Sequence, residues 1–236
     1  MKIVITKNQW ESDFFDRTIG QLDFVESNQL SDLGALIAPF DLVQAKVPAT
    51  ALAQRDYLQQ HGFHCVDVEV RFQLNFAKYL QDPTACCVAN VSDIPQLEAL
   101  FGHAFPHSRF RSPWFSPLDN QRFYRTWIRN AVLGQFDDIC FVWKDTQGSI
   151  QGGISVRLND DSANIGLLAV SPEYQRQGVA KQLIHAAIYW TAQQKMTRLD
   201  VVTQLSNLSA IRLYQSLDMK MVSASYWFYC LNRSNS

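Results

Sequence analysis

One stretch, 165-IGLLAVSPEYQRQGVAKQLIHAAIYW-190, constrains the fold most, because an apolar run leads through a single glycine into a long amphipathic segment. The run from Ile165 to Val170 is aliphatic and is closed by Ser171-Pro172, so we predict a strand that ends at Val170. The pattern after it predicts a helix that opens near Gln175 and holds Gly178 in its first turn. Its apolar face comprises Val179, Leu183, Ala186, Ala187 and Trp190.

The glycine suggests a chemical role for the start of this helix. The first N–H groups of a helix have no partner within the helix, and the small residues Gly178 and Ala180 would leave them unshielded. Such amides, with the positive end of the helix dipole, suit a phosphate or pyrophosphate. An ordinary helix start with a chance glycine is the alternative. The segment matches neither G-x-x-x-x-G-K-[ST] nor G-x-G-x-x-G.

Two strings resemble motifs of the GCN5-related N-acetyltransferase (GNAT) superfamily. The residues 175-QRQGVA-180, preceded by 168-LAVSP-172, look like its Q/R-x-x-G-x-G/A acetyl-CoA motif. Downstream, 207-NLSAIRLYQSLDM-219 resembles the segment N-x-x-A-x-x-L-Y-x-x-x-G-F. The resemblance implies an α/β (α+β) fold, with a mixed central sheet flanked by helices and a smaller N-terminal α/β domain.

The resemblance also implies acetyl-CoA as cosubstrate and no metal. By this resemblance the backbone of Leu168 and Val170 pairs with the pantetheine arm, and an amide near Leu168 faces the thioester oxygen. Asn207 is implied to lie against the same arm, although it could simply cap its helix. The full set of implied cofactor-binding residues is Leu168, Ala169, Val170, Gln175, Arg176, Gln177, Gly178, Val179, Ala180 and Asn207.

Tyr214 stands where many members of the superfamily place the general acid. A phenol with an ordinary pKa of about 10 stays protonated at neutral pH and can donate to a thiolate, whereas a role in the core is the alternative. Where the motif has Gly-Phe, this chain has Asp218-Met219. Aspartate tolerates the left-handed conformation that ends a helix, and methionine keeps an apolar contact, so we expect the local fold to survive.

The acceptor side is indicated by 106-PHSRFRSPWFSPLDNQRFYRTWIRNAV-132. Arg109 and Arg111 flank Phe110, and Trp114 follows closely. Guanidinium groups among aromatic rings suit a ligand that carries phosphates and a planar base, so these four residues are our candidate substrate-binding set. Further arginines recur on one face of the helix that follows, where a solvated surface is the better interpretation: Arg122, Arg125 and Arg129.

A base for the ammonium acceptor is sought in 64-HCVDVEVRFQLNF-76. Alternation in a strand places Asp67 and Glu69 together on its polar face, where either could take a proton through water. A solvated face with Arg71 as partner is the alternative. The sequence has no Ser-His-Asp pattern, so direct transfer is favoured, while the five cysteines leave a covalent route open.

Over its whole length the chain is similar to GNAT enzymes that acetylate nucleotide-linked amino sugars, on the residues 14-FF-15, 42-LVQAK-46 and 105-FPHSRFRSPWF-115. This implies acetylation of the 4-amino group of a dTDP-4-amino-4,6-dideoxyhexose for a surface polysaccharide such as enterobacterial common antigen, by a homodimer. An acetyltransferase for peptide or protein amines and a non-catalytic acyl-CoA-binding module are the alternatives.

The 236 residues allow two domains, which we predict at 1–84 and 85–236, with the boundary in 81-QDPT-84. A net charge of −1 argues against a general nucleic-acid binder, and no apolar run is long enough to span a bilayer. The odd cysteine count, without a C-x-x-C pair, favours a reducing compartment. We therefore expect a cytoplasmic enzyme with no membrane or nucleic-acid partner.

Overall fold

The structure is a computed structural model that describes residues 2–25, 32–75 and 86–232. It contains two compact units, each a mixed sheet with helices against it, which confirms the predicted fold class. The predicted boundary at 81–84 lies outside the described residues, so the division at residue 84 remains a prediction. Neither unit is one run of sequence: the first comprises Met1–Val70, Gln204–Ser206 and Ser223–Ser236, and the second comprises Arg71–Thr203 and Asn207–Val222.

The first unit is built on the strands β1 (Lys2–Lys7), β2 (Ile19–Val25) and β3 (Leu42–Pro48) and on the end of β10 (Lys220–Leu231). Strand β1 is antiparallel to β2, β2 is parallel to β3, and β10 is antiparallel to β3. Its elements are β1 Lys2–Lys7, α1 Gln9–Phe15, β2 Ile19–Val25, α2 Leu33–Ile37, β3 Leu42–Pro48, α3 Leu52–Gln60, the start of β4 His64–Asn75 and the end of β10 Lys220–Leu231. The buried core here is Ile3, Leu22, Leu33, Val43, Ala45, Val47, Leu58, Phe63 and Phe228.

Local sequence signals explain where elements of this unit begin and end. Asn8 caps α1 by accepting a hydrogen bond from the N–H of Glu11, a common role for asparagine at a helix start. Helix α3 ends at Gln60, because His61 is its C-cap and Gly62 follows with a φ of +81°. In β4 the predicted alternation is present, since Val66 and Val70 are buried.

The sheet of the second unit has the strand order β9 (Arg198–Gln204), β8 (Ala163–Val170), β7 (Ile150–Leu158), β6 (Ile139–Lys144) and β5 (Cys86–Val88). Strands β8 and β9 are parallel, and the other neighbours are antiparallel. Its remaining strands and helices run in the following order along the chain. They are β5 Cys86–Val88, α4 Ile94–Ala104, α5 Pro117–Val132, β6 Ile139–Lys144, β7 Ile150–Leu158, β8 Ala163–Val170, α6 Val179–Gln193, β9 Arg198–Gln204 and α7 Leu208–Gln215.

Two glycines of β7 show how helices cover both faces of this sheet. A Cβ on Gly152 would lie 3.1 Å from Leu183 of α6, and a Cβ on Gly153 would lie 3.0 Å from Leu97 of α4. Successive residues of a strand point to opposite faces, so α6 and α4 pack on opposite sides. None of the helices in the described ranges is long and apolar enough to cross a membrane.

Candidate active site

Strand β8 is paired with β9 only along its first three residues. Their pairing covers only Ala163 to Ile165, whereas β8 continues to Val170. On its other side β8 remains paired with β7 as far as Val170, which lies opposite Gly152. One edge of residues 166–170 therefore has no neighbouring strand among the residues that the structure describes.

Backbone direction shows which amides face this open edge. The N–H of Ser171 donates to the carbonyl of Gln151 at 2.8 Å, and the N–H of Leu167 donates to Ser155 Oγ at 3.0 Å, so both point to β7. Because N–H groups alternate sides along a strand, those of Leu168 and Val170 point away from β7. Two N–H donors of β8 thus line the open edge, whereas the N–H of Ala169 between them points to β7.

The segment after β8 contains two residues with positive φ, Arg176 at +61° and Gly178 at +88°. Neither conformation is helical, so α6 begins at Val179 and not near Gln175 as the periodicity predicted; Gly178 is its N-cap. Within the part of the chain that the structure describes, no side chain caps this helix start. Residues 175–178 are exposed, and Gln175 Nε2 donates to the carbonyl of Val170 at 3.3 Å.

These features suit an extended ligand that ends in phosphates. The amides of Leu168 and Val170 can pair with an arm that takes the place of a strand, and the amides from Gly178 to Ala180 lie at the positive end of α6. The two groups follow one another along the chain, separated by a short 3-10 turn at Pro172–Tyr174. Pantetheine and pyrophosphate, as in coenzyme A, fit this order of donors.

Tyr214 lies in the last turn of α7 and is 4% exposed. Burial raises the pKa of its phenol above the ordinary value, so the group keeps its proton well into the alkaline range. The helix end forms as expected: Asp218 has a φ of +57°, and the N–H of Met219 donates to the carbonyl of Tyr214 at 3.1 Å. Leu217 and Met219 are both buried.

Asn207 acts as the N-cap of α7. Its Oδ1 accepts from the N–H of Ala210 at 3.1 Å and from the hydroxyl of Ser209 at 2.8 Å. The residue is half-buried, and its Nδ2 amide remains as a donor that the cap does not use. A role toward the coenzyme arm remains a prediction for this residue.

The loop with the arginines connects α4 to α5. Phe110 is buried against Phe123 at a ring distance of 4.2 Å, and the guanidinium of Arg109 lies 4.0 Å from its centroid. Both neighbours therefore cover the Phe110 ring. Trp114 is half-buried. Arg109 and Arg111 are half-exposed. The substrate roles of these residues remain predictions.

Asn120 holds this loop and was missed by the sequence analysis. It is 5% exposed, and its Nδ2 donates to the carbonyls of Phe105 and Phe110 at 3.1 and 2.9 Å and to Ser108 Oγ at 3.0 Å. The sequence does contain a signal for it: helical spacing places Asn120 on the same face of α5 as the buried Phe123, where a polar side chain is unusual.

The comparison with protein families decides the class of this site. The Acetyltransferase (GNAT) family matches residues 96–219, which contain β8, α6 and α7 and make up more than half of the chain. The chain belongs to the GNAT family. It is therefore an N-acyltransferase, and enzymes of this family use acetyl-CoA.

Two curated relatives match nearly the whole chain. The dTDP-fucosamine acetyltransferase of Escherichia coli O6:H1 is 37% identical over 221 residues, 93% of this chain and 95% of that protein. The spore coat polysaccharide biosynthesis protein SpsD of Bacillus subtilis is 24% identical over 233 residues, 93% of this chain and 80% of that protein.

Solved structures of the family share the fold. A GCN5-related N-acetyltransferase from Sphaerobacter thermophilus has a TM-score of 0.64 at 12% identity, covering 97% of this chain and 76% of its own. A GNAT-family acetyltransferase from Colwellia psychrerythraea has a TM-score of 0.60 at 12% identity, covering 98% of this chain and all of its own. At this identity the likeness concerns the fold alone.

The predicted bases Asp67 and Glu69 belong to the first unit of this GNAT chain. Glu69 forms an ion pair with Lys46, and its Oε2 accepts from Trp227 Nε1 at 2.8 Å. Asp67 Oδ1 accepts from the N–H of Val68 at 2.8 Å. Glu69 is thus held by two side chains, whereas Asp67 is engaged by the adjoining backbone; the role of either as a base remains a prediction.

The cysteines bear on the covalent route. All five lie in the described ranges, and none of them forms a disulfide bond. Burial raises the pKa of the Cys86 thiol to about 11 and that of Cys140 to about 12, and burial likewise raises the pKa of Cys65. A thiol is a nucleophile as its thiolate, so these three are poor candidates at neutral pH. Their state favours the direct transfer expected from the sequence.

Proposed function

We propose that this GNAT enzyme transfers the acetyl group of acetyl-CoA to the 4-amino group of a dTDP-4-amino-4,6-dideoxyhexose of the dTDP-fucosamine type. The observation that carries the proposal is the 37% identity, over 93% of the chain, to a dTDP-fucosamine acetyltransferase. The second relative, named for spore coat polysaccharide biosynthesis, supports the same field of chemistry. We accordingly place the reaction in the synthesis of a surface-polysaccharide precursor, such as that of enterobacterial common antigen, in the cytoplasm.

In this proposal the amine nitrogen attacks the thioester carbon directly, the C–N bond forms and the C–S bond breaks. The Leu168 N–H donates to the thioester carbonyl oxygen as negative charge develops on that oxygen. One such donor stabilises the transition state by roughly 3 kcal/mol. Tyr214 gives its proton to the departing thiolate, and the second proton that the amine nitrogen loses passes through water to restore the phenol. The ammonium proton leaves through water to a carboxylate, for which Glu69 and Asp67 are the candidates.

Recognition of the nucleotide sugar is assigned to the loop between α4 and α5. Arg109 and Arg111 would pair with the two phosphates, since a guanidinium binds phosphate through two parallel hydrogen bonds. The half-buried Trp114 is the candidate for stacking with the base. The Phe110 ring packs against the guanidinium of Arg109. Asn120 would act indirectly, by fixing the carbonyls at both ends of 105–110. A homodimer is part of the same proposal.

Thiol release from acetyl-CoA tests the function. The acceptors are a dTDP-4-amino-4,6-dideoxyhexose, its 4-epimer, the corresponding free amino sugars and a basic peptide, each with an acceptor-free control. We expect release with a nucleotide sugar and little with the free sugars, because the arginine loop would then have no phosphate to bind. Release with the peptide alone would refute the proposed acceptor. Binding of acetyl-CoA without release for any amine would indicate a non-catalytic module.

A further inference from the structure

Strand β8 carries one extra residue opposite Ser155 of β7. Leu168 pairs with Ile154 and Ile165 pairs with Val156, so Gly166 and Leu167 together oppose the single residue Ser155. This is a β-bulge, a feature that bends a strand and changes the direction of the groups beyond it. It lies just where β8 leaves β9, since the pairing with β9 ends at Ile165.

The bulge decides which way the Leu168 amide points. Gly153 pairs with Ala169 and belongs to the same alternating set of β7 residues as Gln151, whose carbonyl accepts from Ser171. If β8 continued from Ile165 without the extra residue, Leu168 would take the place of Ala169 opposite Gly153. Its N–H would then point to β7, because a shift of one residue reverses every group of a strand.

Ser155 and Asp137 fill the space that the bulge opens. Ser155 Oγ accepts from the N–H of Leu167 at 3.0 Å and donates to Asp137 Oδ2 at 2.6 Å. A Cβ on Gly166 would lie 2.6 Å from Asp137 Oδ2 and 2.9 Å from Ser155 Oγ, so the absent side chain is what admits the pair. Since the hydroxyl proton is committed to the carboxylate, the lone pairs of Ser155 remain for Leu167.

Asp137 is a buried charge with a full set of donors. Its side chain is 0% exposed. Oδ2 also accepts from Trp127 Nε1 at 3.0 Å, and Oδ1 accepts from Arg157 Nη2 at 2.7 Å and Nε at 3.1 Å. A buried carboxylate is costly unless it is paired and hydrogen-bonded, and here both conditions hold. All of these atoms belong to the second unit.

We propose that Asp137 and Ser155 are positioning residues: they hold the bulge of β8 and thereby keep the Leu168 N–H aimed at the thioester oxygen. The inference rests on the role proposed above for the Leu168 amide. It does not depend on the identity of the acceptor.

Acetyl-CoA labelled with ¹³C at the thioester carbonyl provides the test, because a hydrogen bond lowers the frequency of the C=O stretch. Isotope-edited infrared spectra of the bound molecule are compared for the wild-type enzyme and Ser155→Ala, without any acceptor. We expect a lowered frequency in the wild type that returns toward the free value in the variant. In turnover, kcat should fall roughly 10- to 100-fold, with a change in KM for acetyl-CoA of no more than about threefold.

Two further variants separate positioning from lost stability. Ile128→Val trims a fully buried residue of α5 and should leave the infrared band in place, even where it lowers the melting temperature. Trp127→Phe removes one donor to Asp137 and should move the band a smaller distance in the same direction as Ser155→Ala, which keeps a test available if the serine variant does not fold.

The proposal is overturned if the band and kcat are unchanged in a folded Ser155→Ala or Trp127→Phe enzyme. It is also overturned if the wild-type band equals that of free acetyl-CoA, because there would then be no hydrogen bond to position. Failure of the nucleotide sugar as acceptor leaves the infrared result intact, so the two proposals fail separately.

Discussion

The ring of Tyr214 lies 5.6 Å from the ring of Phe72, inclined by 49°, and both side chains are buried in the second unit. The contact joins α7 to the end of β4. It gives the phenol an apolar surrounding that raises its pKa, and it explains how one residue can pack in the core and still hold a proton. The packing and the proton are separable by substitution.

Tyr214→Phe keeps the ring and removes the hydroxyl. We expect kcat to fall by about 10² or more with acetyl-CoA affinity nearly unchanged, because a general acid acts only in the reaction. Steady-state kinetics and calorimetric titration with acetyl-CoA measure the two quantities. Tyr189→Phe, on the half-buried part of α6, is the control. An unchanged kcat would remove Tyr214 from the mechanism.

The raised pKa of Tyr214 also affects stability at alkaline pH. Below the unfolded pKa of about 10 both the folded and the unfolded chain carry the proton, so this phenol does not make the free energy of unfolding depend on pH. Above it the unfolded chain releases a proton that the folded chain keeps, so the free energy of unfolding falls by about 1.4 kcal/mol per pH unit. In urea unfolding between pH 9 and 11, the wild type should lose about 1.4 kcal/mol more of its free energy of unfolding than Tyr214→Phe loses. Parallel curves would contradict the assignment.

Arg109→Ala removes the guanidinium that lies over Phe110. We expect the KM for the nucleotide sugar to rise about tenfold or more, with the KM for acetyl-CoA nearly constant, because a phosphate clamp would lose one bidentate partner. Arg122→Ala is the matched control, since Arg122 is exposed and pairs with Asp119 within α5 at 3.2 Å. Equal effects of both substitutions, or none, would exclude the clamp.

Gly178→Ala tests the start of α6. A Cβ there meets no atom of the described residues within 4 Å, so the cost is the positive φ of +88°, about 1 to 2 kcal/mol for an alanine. Gly134→Ala has the same open surroundings at a φ of +66° and serves as control. We expect similar losses of stability, but a weaker affinity for acetyl-CoA only in Gly178→Ala. Equal affinities in the two variants would separate the glycine from coenzyme binding.

Glu69→Gln and Asp67→Asn together identify the base. We expect the larger loss of kcat, about 10² or more, for Glu69→Gln, because Lys46 and Trp227 hold that carboxylate in one orientation while its other lone pairs stay available to water. The slope of kcat/KM on the acid side should flatten in the variant that loses the base. If Asp67→Asn has the larger effect, the roles are reversed, and if neither changes kcat, the proton leaves by another route.

Much of the second unit followed from patterns in the chain. The strand ends at Val170 as predicted, since turn residues act over a few positions. Four residues of the predicted apolar face of α6 are buried, whereas the fifth, Trp190, is half-buried. The predicted start of α6 was four residues too early, because Arg176 and Gly178 adopt positive φ values that periodicity does not encode. Asp218 did end α7 in the left-handed conformation, as its short polar side chain allows.

The sequence by itself determined the family, through the order of residues 168–180 and 207–219, and with it the reaction class. Only the tertiary structure decided that the Leu168 N–H faces an open edge, that Phe110 is covered, and that Asp137 meets Ser155 across the bulge. The physical reason is range. Motifs and periodicity report on neighbours in the chain, whereas the direction of an amide depends on the register of a separate strand, and the burial of a ring depends on a helix that folds back upon it.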